Sequence, residues 1–254
     1  MSLPGIAAVH VLRRNLRVWS RYWLSNLISN FLEPFLYLLG MGVGLGYYIQ
    51  SIEDMPYAHF IAPGIVAVSA MFASSFENTY GTYVRLEFQK TFDAMIATPL
   101  SVEDVALGEL LYGASKSVGY GTFIMLVIEI FGFSPGWRWE LLAAPVILGL
   151  TGLLFGAIAM IVTSLIRNID SFNYYITLFI TPLFIFSGIF FPLDRLPDEV
   201  QTFAWLTPLL HSVRLMRAIM LGHPFPWSDL LWLTVVVILI LPLPILLMKR
   251  KLIE

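Results

Sequence analysis

The sequence contains no cysteine and few charged residues, and both absences narrow what the protein can be. Without cysteine the chain can form no disulfide, no thiolate metal site and no cysteine nucleophile. Its four histidines are far apart in sequence, so we expect no metal site: His10, His59, His211 and His223. Charged residues make up 13% of the chain and apolar residues 58%, whereas soluble domains carry roughly a quarter charged residues. The composition therefore predicts a membrane protein, and nothing in it indicates a nucleic-acid partner.

Six apolar stretches have the length of about 18 to 25 residues that crosses a bilayer as a helix. They are Leu27–Tyr48, Phe60–Tyr80, Val105–Phe131, Leu141–Ile166, Phe172–Phe191 and Leu230–Met248. We predict an all-α, polytopic membrane protein with a single domain over residues 1–254. Its parts are a basic interfacial helix at 1–26, spans one to five at 27–191, short external helices at 192–227, and span six with a basic tail at 228–254.

The distribution of basic residues predicts the orientation of the chain, because cytoplasmic loops of membrane proteins are enriched in lysine and arginine. One side receives Arg13, Arg14, Arg17, Arg21, Arg85, Lys90, Arg167, Lys249, Arg250 and Lys251, and the other Arg138, Arg195, Arg214 and Arg217. The first group includes both ends of the chain. We therefore expect both termini to be cytoplasmic.

The cytoplasmic segment between spans two and three carries an amphipathic pattern. Phe88, Phe92, Met95 and Ile96 recur at helical spacing, with polar residues such as Asp93 between them. Ser101 and Asp104 then resemble a capping box that starts span three. The short helix either lies on the bilayer surface or inserts its apolar side chains into a groove on a cytoplasmic protein.

Two stretches of the sequence resemble one family of membrane transporters. YAHFIAPGIVAVSAMFASSFENTYGTYVRLEFQKTFDAMIATPLSVEDVALGELL resembles the second span and first cytoplasmic loop of ABC-2-type transporter permeases. SGIFFPLDRLPDEVQTFAWLTPLLHSVRLMRAIMLG resembles the segment after their fifth span. Within the family, the sequence of these two stretches is most similar to the NodJ branch, the permeases for lipo-chitooligosaccharide export.

The resemblance implies a homodimer of six-span subunits, docked to two copies of a cytoplasmic ATPase that binds ATP and magnesium. This chain lacks the phosphate-binding pattern G-x-x-x-x-G-K-[ST] and is expected to be a non-catalytic subunit without a cofactor of its own. By position, residues 88–98 correspond to the family's coupling helix, and a second contact follows span four. The residues assigned to ATPase coupling are Phe88, Phe92, Asp93, Met95, Arg167 and Asp170.

Four ionisable residues fall within or near the spans, where a charge is costly unless it is paired or faces a polar cavity. They are Glu33, Glu77, Glu109 and Lys116. Glu109 and Lys116 are too far apart along one helix to pair, so Lys116 is predicted to meet Glu77 or Glu33. These charges are either structural pairs or contacts to a substrate headgroup.

An aromatic stripe and a glycine pattern mark the first two spans. Phe72, Phe76, Tyr80 and Tyr83 recur every three to four residues, and such a stripe either packs against lipid or forms a path for sugar rings and acyl chains. In span one, Gly40, Gly42, Gly44 and Gly46 form two overlapping G-x-x-x-G patterns, which allow close approach of a helix from the same or another subunit.

The segment after span five predicts two short helices, Pro197–Leu206 and Leu209–Leu221, neither long enough to cross the membrane. The resemblance implies that they are re-entrant and external. His211, Arg214 and Arg217 are their notable polar residues. The arginines either form a rim that faces solvent or lipid phosphates, or guide an anionic or sugar headgroup during exit.

The function expected from these features is that of a permease subunit that exports a lipid-linked or amphipathic substrate, such as a lipo-oligosaccharide. A drug or antibiotic exporter of the same family is one alternative. An ATP-independent channel or secondary transporter is the alternative from another class, and it predicts paired broken helices at the membrane midplane. Span one and span five contain glycine and proline, but the two halves of the chain show no matching pair.

Overall fold

The computed structural model describes residues 5–49, 51–52 and 54–253, and most of them are helical, which confirms the predicted all-α class. The α-helices are α1 (Ala8–Ser20), α2 (Trp23–Tyr37), α3 (Gly46–Ile49), α4 (Tyr57–Phe76), α5 (Thr91–Ile96), α6 (Val102–Ile130), α7 (Ala144–Leu165), α8 (Phe172–Tyr175), α9 (Thr181–Phe186), α10 (Asp198–Trp205), α11 (Pro208–Leu221), α12 (Trp227–Ile240) and α13 (Pro242–Ile253). Two-residue strands, β1 (Ser51–Ile52) and β2 (Met55–Pro56), pair antiparallel.

Short π-helical and 3₁₀-helical segments extend or connect these helices. They are Leu38–Leu45, Glu77–Gly81, Val84–Phe88, Trp139–Ala143, Ile169–Ser171, Ile176–Ile180 and Leu193–Arg195. Because the second and third of these follow α4, the helix of span two continues well beyond Tyr80, where the sequence predicts its end.

Five helical stretches are long and apolar enough to cross a membrane: Leu32–Ile49, Tyr57–Phe88, Trp139–Leu165, Ile169–Phe186 and Trp227–Leu252. The remaining predicted span corresponds to α6. It has 29 residues, about 43 Å at 1.5 Å per residue, which is ample for a bilayer core of about 30 Å. Its mean hydropathy is lowered by polar side chains such as Glu109 and Ser117, both buried against neighbouring helices.

The centre of the bundle is formed by α4, α6 and α7. The Ser74 hydroxyl donates to the Gly152 carbonyl at 2.5 Å, and the Thr163 hydroxyl donates to the Asn78 carbonyl at 2.7 Å. A Cβ atom at Gly156 would lie 2.6 Å from the Ser74 Oγ. Close approach between α4 and α7 therefore depends on a residue without a side chain, as in other membrane helix pairs.

The start of α6 is fixed by the predicted capping box and is also tied to the N-terminal segment. The Asp104 N–H donates to the Ser101 Oγ at 3.1 Å, and the Asp104 carboxylate accepts from the Ser101 N–H at 3.2 Å. The same carboxylate accepts from the Gly5 N–H at 2.6 Å. Helix α1 then packs along α6 through a face that includes Ala8 and Val11. Its arginines remain on the exposed face.

The segment predicted as one amphipathic coupling helix is divided in the structure. The helix of span two ends at Phe88, Lys90 adopts a left-handed conformation with φ 50°, and α5 follows as a separate helix of six residues. Phe88 is 66% exposed, but Phe92 is fully buried and Met95 nearly so.

The exposed position predicted for Phe92 and Met95 is therefore wrong. Both side chains pack in a cluster that includes Val11, Leu86, Val105, Leu110 and Met248. The apolar face of α5 is turned toward the bundle, where α5 packs against α6. The spacing of the apolar residues indicates a face but not which partner covers it.

We predict that Phe92→Ala destabilises the protein and that Phe88→Ala does not. Truncation of a buried phenylalanine leaves a cavity and typically costs about 3–5 kcal/mol, whereas the exposed Phe88 ring loses little contact within the chain. Thermal unfolding of the purified protein in detergent measures the difference. Equal unfolding temperatures for the two variants would contradict the assignment of Phe92 to the core.

Candidate transport groove and coupling surface

A groove whose ten lining residues include four aromatic side chains runs between spans one, two and five. Phe72 and Phe76 of α4 stack with ring centroids 5.7 Å apart, and Phe184 of α9 meets the Phe72 ring edge-on at 6.1 Å. Tyr37 of α2 contacts Phe184 in the same way at 5.6 Å. We call the surface formed by Tyr37, Phe72, Phe76 and Phe184, together with Glu33, the aromatic groove.

The aromatic stripe continues from the groove toward the loop that follows span two. The Phe76 and Tyr80 rings are 6.1 Å apart, and Tyr80 lies 5.0 Å from Phe172. Tyr83 also contacts Phe172, at 5.5 Å, but Tyr83 is buried. The four predicted stripe residues thus form one connected series, in which Phe72, Phe76 and Tyr80 border open space and Tyr83 is part of the core.

The carboxylate of Glu33 differs from the other acids of the spans because its side chain is exposed on the face of α2 that borders the aromatic groove. An ionised carboxylate at membrane depth is stable where it faces water, a polar ligand or another protein chain. The groove therefore combines flat aromatic surfaces with a hydrogen-bond acceptor, a combination suited to a molecule with both apolar and hydroxyl-bearing parts.

Glu77 and Glu109 belong to a buried network of charges where span two meets span three. Of the two partners considered for Lys116, the structure pairs it with Glu77. Arg85 bridges the two acids: its guanidinium lies 2.6 Å from Glu77 Oε1, and its Nε donates to Glu109 Oε2 at 3.0 Å. Asn15 of α1 donates to Glu109 Oε1 at 2.8 Å.

Two carboxylates and two cations make this charge network electrically balanced. Balance matters because each ion loses hydration on burial, and only its partners offset that loss. The network joins α1, α6 and both helical segments that extend α4. Arg85 is the member that the sequence interpretation missed, since the end of span two was placed at Tyr80. Arg85 follows Glu77 by eight residues, about two helical turns. This spacing predicts that the two side chains share a helical face only if the helix of span two continues past Tyr80.

The two cytoplasmic loops predicted to contact an ATPase lie side by side. The Tyr83 hydroxyl donates to the Arg167 carbonyl at 2.8 Å. Lys251 of α13 donates to the carbonyls of Thr163 and Ile166 at 3.0 Å each, and lies 3.5 Å from Glu87. Phe88, Asp93, Arg167 and Asp170 are exposed on this side, and we call them the coupling surface.

The polar residues of the two short helices after span five are less exposed than the sequence suggests. His211 is 1% exposed, with Nδ1 2.5 Å from Asp229 Oδ1 and its ring 4.0 Å from the Trp232 ring. Arg217 donates to the carbonyls of Phe60 and Gly188 at 3.3 and 3.0 Å. Of the three predicted residues, Arg214 has the most exposed side chain, at 48%. Among residues 5–49, 51–52 and 54–253, no group of His, Asp and Glu is arranged to hold a metal ion.

The family model for "ABC-2 type transporter" matches residues 7–221, which include the aromatic groove, the charge network and the coupling surface. The chain belongs to the ABC-2 type transporter family. It is therefore a multi-pass membrane protein and the permease subunit of an ABC exporter, a class whose members work with ATP-binding partner subunits.

Similar proteins from rhizobia support this assignment over most of the chain. Nodulation protein J of Rhizobium leguminosarum bv. trifolii is 42% identical over 88% of this chain and 85% of its own length. Nodulation protein J of Bradyrhizobium diazoefficiens is 41% identical over 83% and 80%. The inner membrane transport permease YadH of Escherichia coli is 21% identical over 87% and 86%.

We predict that replacing Arg85 of this ABC-2 permease by methionine strongly destabilises it. The change leaves two buried carboxylates with one cation, and breaking a buried pair in this way costs about 3–5 kcal/mol. Lys90→Met is the matched control, because Lys90 is 61% exposed and lies 3.6 Å from Glu87. Unfolding temperatures in detergent test the prediction. Similar small losses in both variants would show that the charge network contributes little to stability.

Proposed function

We propose that the chain forms one half of a homodimeric exporter of the bacterial inner membrane that moves an amphipathic, glycolipid-like molecule outward. Two copies of a separate ATPase supply the energy. The aromatic groove is the observation that carries the proposal. It offers aromatic faces for apolar chains and sugar rings, and the Glu33 carboxylate as an acceptor for hydroxyl groups. The resemblance to lipo-chitooligosaccharide permeases supports the same class of cargo.

The coupling surface is the proposed contact with the ATPase. Phe88 is the only large apolar side chain among its four members, and the protein leaves most of that ring uncovered. Aromatic side chains that fill a partner's pocket commonly dominate the affinity of an interface. The neighbouring Tyr83, whose ring meets Phe88 edge-on at 5.9 Å, also holds the Arg167 loop in place. Movement of the ATPase would therefore act on both loops together.

The faces of spans one and five that turn away from the bundle are the proposed homodimer contact. Leu32, Leu36, Val43, Tyr174 and Leu178 are exposed large apolar residues on these spans. Gly42 packs against Ala58 of the same chain, but a Cβ at Gly40 or Gly44 would meet no atom within 4 Å. That outer pair of glycines leaves room for a helix of a second subunit.

The orientation of the permease follows from its charges in this proposal. The coupling surface lies on the same side as the basic ends of α1 and α13, where lysine and arginine are most concentrated. Both termini and both loops of the coupling surface are then cytoplasmic. The segment with α10 and α11 faces outward.

We predict that Phe88→Ala permease inserts and folds but binds its ATPase about 10- to 100-fold more weakly. Loss of an aromatic anchor typically costs about 1–3 kcal/mol of docking free energy, and 1.4 kcal/mol corresponds to a factor of ten. Co-purification of the two subunits, followed by a titration of the ATPase onto permease in nanodiscs, measures the affinity.

Two further variants locate the contact. Asp93→Ala is expected to have a smaller effect that depends on salt, because a rim charge mainly steers association. Phe203→Ala, an exposed ring on α10, is the matched control and should bind normally. Full ATPase binding by Phe88→Ala would move the contact to the Arg167 loop. A permease that transports in liposomes without any ATPase would overturn the proposed function itself.

We predict that the double variant Phe72→Ala/Phe76→Ala loses transport while it keeps its ATPase. Both rings border the aromatic groove and lie far from the coupling surface along α4, so docking and basal ATP hydrolysis should persist. Leu239→Ala, a side chain 72% exposed on α12, is the control for loss of a lipid-facing group. Lipid extracts of cells with and without each variant, compared by mass spectrometry, report the cargo. Normal transport by the double variant would assign the stripe to packing.

A further inference from the structure

A cavity of ≈ 360 Å³ lies between the end of span five, α10 and α11, at the end of the bundle opposite the coupling surface. Its volume falls within the range of small-ligand sites, about 300–1,000 Å³. Arg214, Arg217 and Asp194 contribute its charges, Gln201 an amide, and Trp205 an apolar wall. Two guanidinium groups face one carboxylate, so the lining carries an excess of one positive charge.

The charge state of the neighbouring His211–Asp229 pair follows from hydrogen-bond geometry. His211 Nε2 lies 2.8 Å from the Trp205 carbonyl oxygen, which can only accept, so Nε2 must carry a proton. His211 Nδ1 lies 2.5 Å from Asp229 Oδ1, and that contact requires one more proton between the two atoms. Whether this proton resides on nitrogen or on oxygen, the pair as a whole is electrically neutral.

Neutralisation of Asp229 by His211 leaves Arg214 without a full counter-charge. The Arg214 Nη1 lies 3.4 Å from the same Oδ1 atom, a long contact compared with the 2.5 Å from His211. Close to half of the Arg214 side chain is exposed. Its planar guanidinium has five N–H donors, and this one weak contact leaves most of them directed elsewhere.

We propose that this outer cavity binds a phosphate-type oxyanion, with Arg214 as the principal ligand and Trp205 as an apolar wall beside it. A guanidinium matches the geometry of such oxyanions through paired hydrogen bonds. The His211–Asp229 pair is a positioning element: the proton that it shares at Asp229 Oδ1 balances the charge of that carboxylate, so that Arg214 stays available. The anion is either the headgroup of an anionic phospholipid or a free phosphate ion. This site is independent of the cargo and of the ATPase.

Calorimetric titration of the intact permease in phosphatidylcholine nanodiscs tests the site. The probes are dihexanoyl phosphatidylglycerol, dihexanoyl phosphatidylcholine and inorganic phosphate. We expect phosphatidylglycerol to bind more tightly than phosphatidylcholine, and Arg214→Gln to weaken it about 10-fold or more, as loss of hydrogen bonds to a charged group does. Arg195→Gln, an exposed external arginine outside the cavity lining, should bind like the unaltered protein.

The positioning pair gives a second measurement that does not depend on a residue of the cavity wall. In His211→Gln, the Asp229 carboxylate loses its proton-sharing partner and should pair with Arg214, which weakens phosphatidylglycerol binding. In His211→Gln/Asp229→Asn, the pair is neutral again and binding should return. Thermal unfolding confirms that each variant is folded.

The outcomes separate the two sources of the anion and the failure of the proposal. Competition by inorganic phosphate assigns the site to the free ion, and phosphatidylglycerol binding without such competition assigns it to a lipid. Equal affinity of Arg214→Gln and the unaltered protein would overturn the oxyanion site. Absence of recovery in the double variant would overturn the positioning role of the His211–Asp229 pair.

Discussion

The cost of an ion in a medium that solvates it poorly is the constraint on which this structure depends. Two buried carboxylates and two partly buried cations meet between spans two and three. They are tolerated because Arg85 bridges Glu77 and Glu109 while Lys116 completes the balance. A network of this kind has little freedom, since moving any one member leaves its partner uncompensated. The helices that carry these residues are therefore held in one relative arrangement.

The location of the charge network connects the coupling surface with the spans. Arg85 lies on the same helical segment as Phe88, and Glu77 follows the residues that line the aromatic groove. If the ATPase docks on Phe88 as proposed, a push on that residue would reach the groove along the continuous helix Tyr57–Phe88, and the Arg85–Glu109 pair would make that helix move with α6. Asn15 adds α1 to the same unit through Glu109. The proposed coupling therefore needs no flexible intermediate between the proposed ATPase contact and the groove.

The sequence was informative wherever one physical rule dominated. Hydropathy placed the spans, the Ser101–Asp104 pattern placed the start of α6, and the charge of Lys116 required an acid that proved to be Glu77. It failed for Phe92, because helical spacing shows that an apolar face exists without showing what covers it. It gave no indication that His211 is buried, because that burial depends on α12, a helix that begins sixteen residues further along the chain. Contacts between distant segments are set by packing, and a local pattern does not encode them.

The charged side chains at the two ends of the molecule are compensated in different ways, and this difference bears on function. At the coupling end, each cation contacts a carboxylate, so the charge network is closed and serves as a rigid joint. At the outer end, one proton shared by His211 and Asp229 cancels their charges, and Arg214 keeps its own. A closed network favours transmission of force, whereas an uncompensated cation beside a cavity favours recognition of an anion. Under these two proposals, the permease combines mechanical coupling at one end of the bundle with a surface for an anionic ligand at the other.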